Sequence, residues 1–581
     1  MYIASRIISY NLMNKFEIQY VYKDIFSEDQ PANSFDYLKK YSTKNILIKL
    51  AHANAILFNR QADADIQIFQ QVLFGGHQLS KTLVSKLNSK LDTGTFFGAQ
   101  SISLLIKDSL NNFNEQQSDD TPYVDFAIDL LKTILIYNEL FLNTMEKEGD
   151  LKDFKSLFTL DLMQQTYIRP LRFTNYLMRS AFMCHFLNQD KELKPYTIQF
   201  CQDYGMSDPW KISKFLIDLL NDNGRKEAKF GLNRNQIPPN LLEDWVINVE
   251  SLKNNEISLN FDIIPKPLFQ TEENEFIILD LSFFQYMVDQ GFFYNIYKKS
   301  IANTNSKFSN FNNFKAYIGK KYFEEYLCSL FFEKTFFRRD QIVISNEKYQ
   351  DFIIKSTSDN LLVIEAKMTD VNARVVENLD FEAFKKSIDD NLLSTKENQK
   401  KNKGALQIIR QIKQLVEPTN AQEIQDLFKI KKIKNLNIYP ILLVSDTNYS
   451  LSGTNKYVND NVRTELNNLA AYFKSIRPVV IININIFIEY FPYLQQSKSN
   501  LTDLIKGYFT ELNKWLKAFK KHDDIYSYYQ MSLPFDEYLR KKLKGKTMVE
   551  HFEIFEKNFG DELSTLDFST GLSDAEQIYL T

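Results

Sequence analysis

The sequence predicts a multidomain α/β protein, and three features carry that reading. Residues 1–225 place apolar side chains at helical spacing, and residues 496–581 do so again before a polar tail. Residues 301–495 instead alternate short β-branched runs with helical stretches, the pattern of a mixed β-sheet flanked by helices. At 581 residues the chain exceeds what one core supports, so a division into parts is expected.

In the first part, Thr121-Pro122 forms a helix start, with Thr as cap and Pro at the first helical position. Val124, Ile128, Leu131, Leu135 and Met145 follow at near-helical spacing, and Gly149 is the expected stop. Asp161–Phe186 and Lys211–Leu220 repeat the pattern. We assign this half a sensing or interaction role. Residues 226–300 read as a small α+β connector. Glu256–Ile264 alternates until Pro265-Lys266-Pro267, Glu275–Leu279 is strand-like, and Ser282–Tyr297 is helical.

From 301 to 495 the expected order is a helix at Phe314–Phe332 and strands at Gln341–Ser345, Gln350–Ile354 and Leu361–Ala366. Helices follow at Phe381–Asn391 and Ala405–Leu415, then a strand at Ile438–Val444. A helix near Val462–Phe473 and a strand at Val479–Ile488 complete it.

Composition bounds the function loosely. A net charge of −3 neither requires nor excludes a nucleic-acid partner, because phosphates are neutralised by local Lys and Arg. Cys184, Cys201 and Cys328 are odd in number and widely spaced, which suits a reducing cytoplasm better than a disulfide framework. The most apolar helical stretch, Thr121–Met145, is interrupted by Asp125, Asp129, Lys132 and Glu139, so no membrane span is expected. Neither a signal peptide, a P-loop, a dinucleotide-binding glycine motif, a zinc-protease motif nor a nucleophile elbow is found.

The informative segment is Tyr349–Asp370. Two apolar runs flank Ser356-Thr357-Ser358-Asp359-Asn360, a turn-forming composition. A hairpin centred on Ser358 sets Asp351 opposite Glu365. Side chains alternate along a strand, so Glu365 and Lys367 share a face while Ala366 points away. Two hard oxygen ligands and an ammonium then meet at one end of an apolar hairpin. Asp351 and Glu365 suit Mg²⁺, which polarises phosphate and acidifies water, and Lys367 can steady the charge that develops.

These residues resemble the PD-(D/E)xK, or restriction-endonuclease-like, nuclease superfamily: Asp351 stands for the acid and Glu365-Ala366-Lys367 for the E-x-K triplet. Gln350 replaces the usual Pro. The resemblance spans about 314–490 and implies a restriction-endonuclease-like sheet and a catalytic set of Asp351, Glu365 and Lys367. It further implies a supporting Glu on the preceding helix, Glu324 with Glu325 as rival register, and a Gln on the following helix, Gln407 with Gln411 as rival. Mg²⁺ is the implied cofactor, with Mn²⁺ able to substitute.

Lys400, Lys401 and Lys403, with Lys396, precede the Gln407 helix and are the expected nucleic-acid contacts; Lys429, Lys431, Lys432 and Lys434 form a second basic run. A third run, Arg540–Lys546, reads as solvated surface. Another E-x-K triplet, Glu192-Leu193-Lys194, lacks strand context. The expected function is metal-dependent cleavage of DNA, with bacterial defence against phage as the role by analogy. A homo-oligomer or a partner protein would engage the helical half. RNA cleavage, or a non-catalytic interaction protein with a degenerate site, are the competing readings.

Overall fold

The computed structural model describes residues 18–58, 63–75, 79–91, 94–114, 123–146, 152–163, 173–223, 231–234, 237, 239–249, 257–302, 304, 307–308, 310–346, 350–393 and 404–564. The fold is mixed α/β. Two compact units interleave in sequence: residues 1–149, 159–171 and 198–295 form one, and residues 150–158, 172–197 and 296–581 the other.

The first unit is mainly helical. Helices Thr43–Phe58, Ala99–Asn111 and Tyr123–Glu146 share one apolar core that includes Leu47, Leu50, Ile102, Leu105, Leu131 and Leu135. The expected cap at Thr121-Pro122 and stop at Gly149 lie outside the described residues. Two short strands, β1 (Ile18–Gln19) and β2 (Gly94–Thr95), pair in parallel. A three-stranded antiparallel sheet follows, ordered β3 (Gly231–Asn233), β5 (Glu275–Ile278), β4 (Leu268–Glu272). Alternation at Glu256–Ile264 does not make a strand over the described residues from 257 on: Leu259–Ile263 is a π-helical turn whose Leu259 and Ile263 join the core.

The second unit is built on a mixed sheet of β6 (Ile342–Asn346), β7 (Gln350–Lys355), β8 (Asn360–Lys367), β9 (Asn437–Val444), β10 (Ser475–Ile476) and β11 (Val480–Asn483). β6, β7 and β8 run antiparallel in turn, β9 lies parallel to β8, and β10 and β11 both lie parallel along β9. Seven of the eight residues of β8 are buried, as expected of an interior strand covered on both faces.

Proline explains the split edge. β10 ends opposite Ile438 and β11 begins opposite Ile441, so the break faces Pro440, which has no N–H to give a neighbour. Pro478 sits inside the break itself. The expected strand Val479–Ile488 is therefore corrected: β11 stops at Asn483, and Asn485–Glu489 is a helix. Asn483 Oδ1 accepts from the Asn485 N–H at 3.0 Å and turns the chain. Ile484, Ile486, Phe487 and Ile488 are all buried, and a short apolar run of this kind does not by its content tell strand from helix.

Candidate active site

The hairpin register builds the site. Phe352 pairs with Ile364 and Ile354 with Leu362, so the next step places Asp351 beside Glu365, at the end of β8 where it also meets β9. Asp351 Oδ2 accepts from the Ala366 N–H at 2.8 Å, which locks the acid onto the neighbouring strand. Lys367 donates to Glu365 Oε1, and its side chain stays about one-fifth exposed while that of Glu365 is closed off. Oε2 of Glu365 is buried with no hydrogen-bond partner among the described residues. Such an atom costs about 1–3 kcal/mol, more when charged, unless something satisfies it.

Electrostatics reports the same crowding. Burial, followed by the charges of Asp351 and Glu324, pushes the Glu365 carboxyl up to about 7, with Lys367 pulling the other way. Glu324 is also raised, first by burial and then by Asp351, with which it lies within hydrogen-bonding reach. Glu324 and Glu365 are thus both harder to ionise beside the Asp351 charge.

Glu324 reaches the cleft from the helical run 311–335. That run is α-helical at Phe311–Ile318, π-helical at Gly319–Cys328 and α-helical again at Ser329–Thr335, and π segments recur at functional sites. Glu324 is buried and paired with Lys320, whereas Glu325 pairs with Lys321 in a half-exposed ion pair. The structure thus separates the two registers that sequence leaves open.

Helix Gly404–Gln414 packs on β8 and β9 and brings Gln407 to the cleft. Gln411 is buried one turn on, with Oε1 unpartnered, and does not line the cleft. Gly404 adopts φ +59°, and a Cβ there would meet the Leu392 carbonyl oxygen at 2.1 Å, so glycine lets this helix begin against the preceding segment. Lys400, Lys401 and Lys403, like Lys396, lie outside the described residues.

The cleft measures about 650 Å³ and gathers Glu324, Asp351, Glu365, Lys367 and Gln407. It also contains two cations that sequence reasoning missed, Lys320 and Arg410. Arg410 is exposed and its side chain has no partner among the described residues. The i, i+3 spacing from Gln407 puts Arg410 on the same helix face, a signal present in the sequence. Lys320 stands four residues before Glu324 and pairs with it.

A divalent ion fits these residues. The donors are hard carboxylate oxygens, and Glu365 Oε2 is an orphaned acceptor at the cleft. Among the described residues no three His, Cys, Asp or Glu side chains form a cage of their own. Hard carboxylate oxygens are the donors that Mg²⁺ takes, with waters and phosphate oxygens in the rest of its shell.

Compared with protein-family models, with curated proteins and with solved structures, the chain matches none of them. Function must be argued from the cleft.

Proposed function

We propose that the cleft hydrolyses phosphodiester bonds as a metal-dependent nuclease, with DNA as substrate, on a sheet of the restriction-endonuclease-like kind. One observation carries the reading: the buried, unpartnered Oε2 of Glu365 stands where Asp351, Lys367 and Glu324 also converge. Supporting it, the antiparallel β7–β8 hairpin is followed by a parallel β9, so the start of β7 and the end of β8, which carry the charged residues, lie together at one end of the strands.

Asp351 and Glu365 would hold the ion, with Glu324 steadying the pair. When bound, Mg²⁺ supplies Lewis acidity toward the phosphate. The chain's own residues do the rest. Lys367, oriented by Glu365, sets a positive charge beside the reacting phosphate and stabilises the charge that builds there. Gln407 offers an amide to orient water or a phosphate oxygen. Arg410 offers a planar fork suited to a neighbouring phosphate, as Lys320 offers a point charge. By analogy with nucleases attached to helical regions, the role is in bacterial defence, with the first unit receiving a trigger or partner.

The test is direct. Purified protein is incubated with plasmid, linear and single-stranded DNA and with RNA, in Mg²⁺, Mn²⁺ or EDTA, beside Lys367→Ala. Metal-dependent cutting of DNA that disappears in the folded variant is expected. Absence of cutting on every substrate, together with no Mg²⁺ binding, would sink the reading.

A further inference from the structure

A second cavity, of about 510 Å³, lies between helix Thr454–Leu469 and helix Asn500–His522. One wall is the break in the edge strand at Ile476, Arg477 and Pro478. It sits at the opposite end of β9 from the candidate active site, since Ile476 pairs with Ile438 whereas Lys367 pairs with Val444.

Its lining has two characters. Leu466, Phe509, Leu512, Leu516 and Met531 give an apolar surface. Around it stand Arg463, Arg477 and Lys520, whose side chains have no carboxylate partner among the described residues; Lys456 is paired with Asp460. Two polar atoms of the lining are buried and unpartnered: the Arg477 Nε donor and the Asn459 Oδ1 acceptor. The Asn459 amide is held in place because Nδ2 donates to the carbonyls of Asn455 at 2.8 Å and Val479 at 2.7 Å. Oδ1 is therefore fixed as an acceptor waiting for a donor.

We propose that this cavity binds a nucleoside phosphate. Three unneutralised cations exceed what a single carboxylate needs and suit a phosphate group, with Arg477 giving its orphaned N–H. The apolar surface suits the flat face of a base, and Asn459 Oδ1 accepts from an amino or hydroxyl group. The volume is that of a small-molecule site. Helix Thr454–Leu469 lines this cavity and also packs against the helix of Gln407 and Arg410, so an occupant would press on an element of the candidate active site.

Titration calorimetry on the full chain, in EDTA so that the carboxylate cleft carries no metal, tests the proposal with AMP, ATP and inorganic phosphate. Saturable one-site binding of AMP or ATP is expected, about tenfold or more tighter than phosphate. Arg477→Gln and Arg463→Glu should each weaken it about tenfold. Arg463 is exposed, so its variant keeps the fold, and Lys367→Ala should bind as the parent does. No saturable binding of either nucleotide overturns the proposal. So does phosphate binding as tightly as nucleotide, or binding indifferent to Arg463→Glu.

Discussion

Glu192-Leu193-Lys194 and Glu365-Ala366-Lys367 carry the same acid–apolar–lysine pattern in one chain, with opposite outcomes. In the first, Leu193 is buried and both charged residues are exposed where a turn leads into helix Lys194–Asp203; the turn is anchored by Asp190, whose Oδ1 accepts the N–H groups of Glu192 and Leu193. Glu192 pairs with Lys307 in an ion pair half open to water, which contributes little. In the second, the strand turns Glu and Lys to one face, and β7 and β9 close over the acid. The difference lies in what surrounds the carboxylate. Solvent satisfies Glu192, while Glu365 keeps an oxygen that only a ligand or a proton can satisfy.

The largest test of this contrast is catalytic. Lys367→Ala or Glu365→Ala should lower single-turnover DNA cleavage by about a thousandfold or more. Glu192→Ala and Lys194→Ala should leave it within about twofold, and equal losses from both triplets would erase the distinction. Next comes the metal itself. Saturating Mg²⁺, at about a hundred times its Kd, should stabilise the parent by about 2.7 kcal/mol, read as a rise in Tm. Glu365→Gln should abolish that rise and Glu192→Gln should keep it.

Smaller effects should sharpen the geometry. Glu324→Gln is expected to cost about tenfold in cleavage where Glu325→Gln costs almost nothing, because only Glu324 is buried beside Asp351. Arg410→Ala should raise KM about tenfold with little change in kcat, as for a phosphate contact made equally in ground and transition states.

The smallest expected effect is on pH-dependent stability. Burial, then the charge of Asp370, pushes Asp446 up to about 7. The unfolded chain loses that proton near pH 3.9, so the native state holds it alone between about pH 4 and 7. This contribution is full at low pH and gone once pH passes about 7. Metal-free protein should therefore melt higher at pH 6 than at pH 8. Glu365, raised by burial to about the same value, adds to this slope, whereas His52 and His185, lowered by burial, oppose it; Asp340, lowered by Lys498, titrates below the window. Asp446 also accepts the N–H groups of Val371 and Asn448. Asp446→Asn can accept poorly from both, so it should reduce the slope, leaving the part due to Glu365, while lowering Tm at pH 6.

Local chemistry made the hairpin legible. A polar turn between two alternating runs sets the pairing of Phe352 with Ile364, and Asp351 and Glu365 follow from it. Glu324 and Gln407 were legible only to within a helical register, since neighbouring Glu325 and Gln411 look alike until packing chooses a face. Arg410 carried a spacing signal but no local mark of function. The split of the edge strand needed two prolines to be read together, Pro440 on one strand and Pro478 on another. The interleaving of residues 172–197 with the second unit rests on contacts distant in sequence, which periodicity cannot report.

That interleaving bears on how the chain is made. Helix Phe173–Gln189 leaves the ribosome well before any strand of its sheet, yet its contacts are with Gly319–Cys328, Asn485–Glu489 and Phe552–Leu563. Phe182 meets Phe331, Phe555 and Phe559, and Arg179 donates to the Ser445 carbonyl and to Asn485 Oδ1. Until residues 552–563 have been made, Phe182 lacks its partners Phe555 and Phe559, and until residue 485 is made Arg179 lacks these two acceptors. A fragment of residues 301–495 alone is expected to aggregate for the same reason, and co-expression of residues 150–197 should not rescue it without helix Phe552–Leu563.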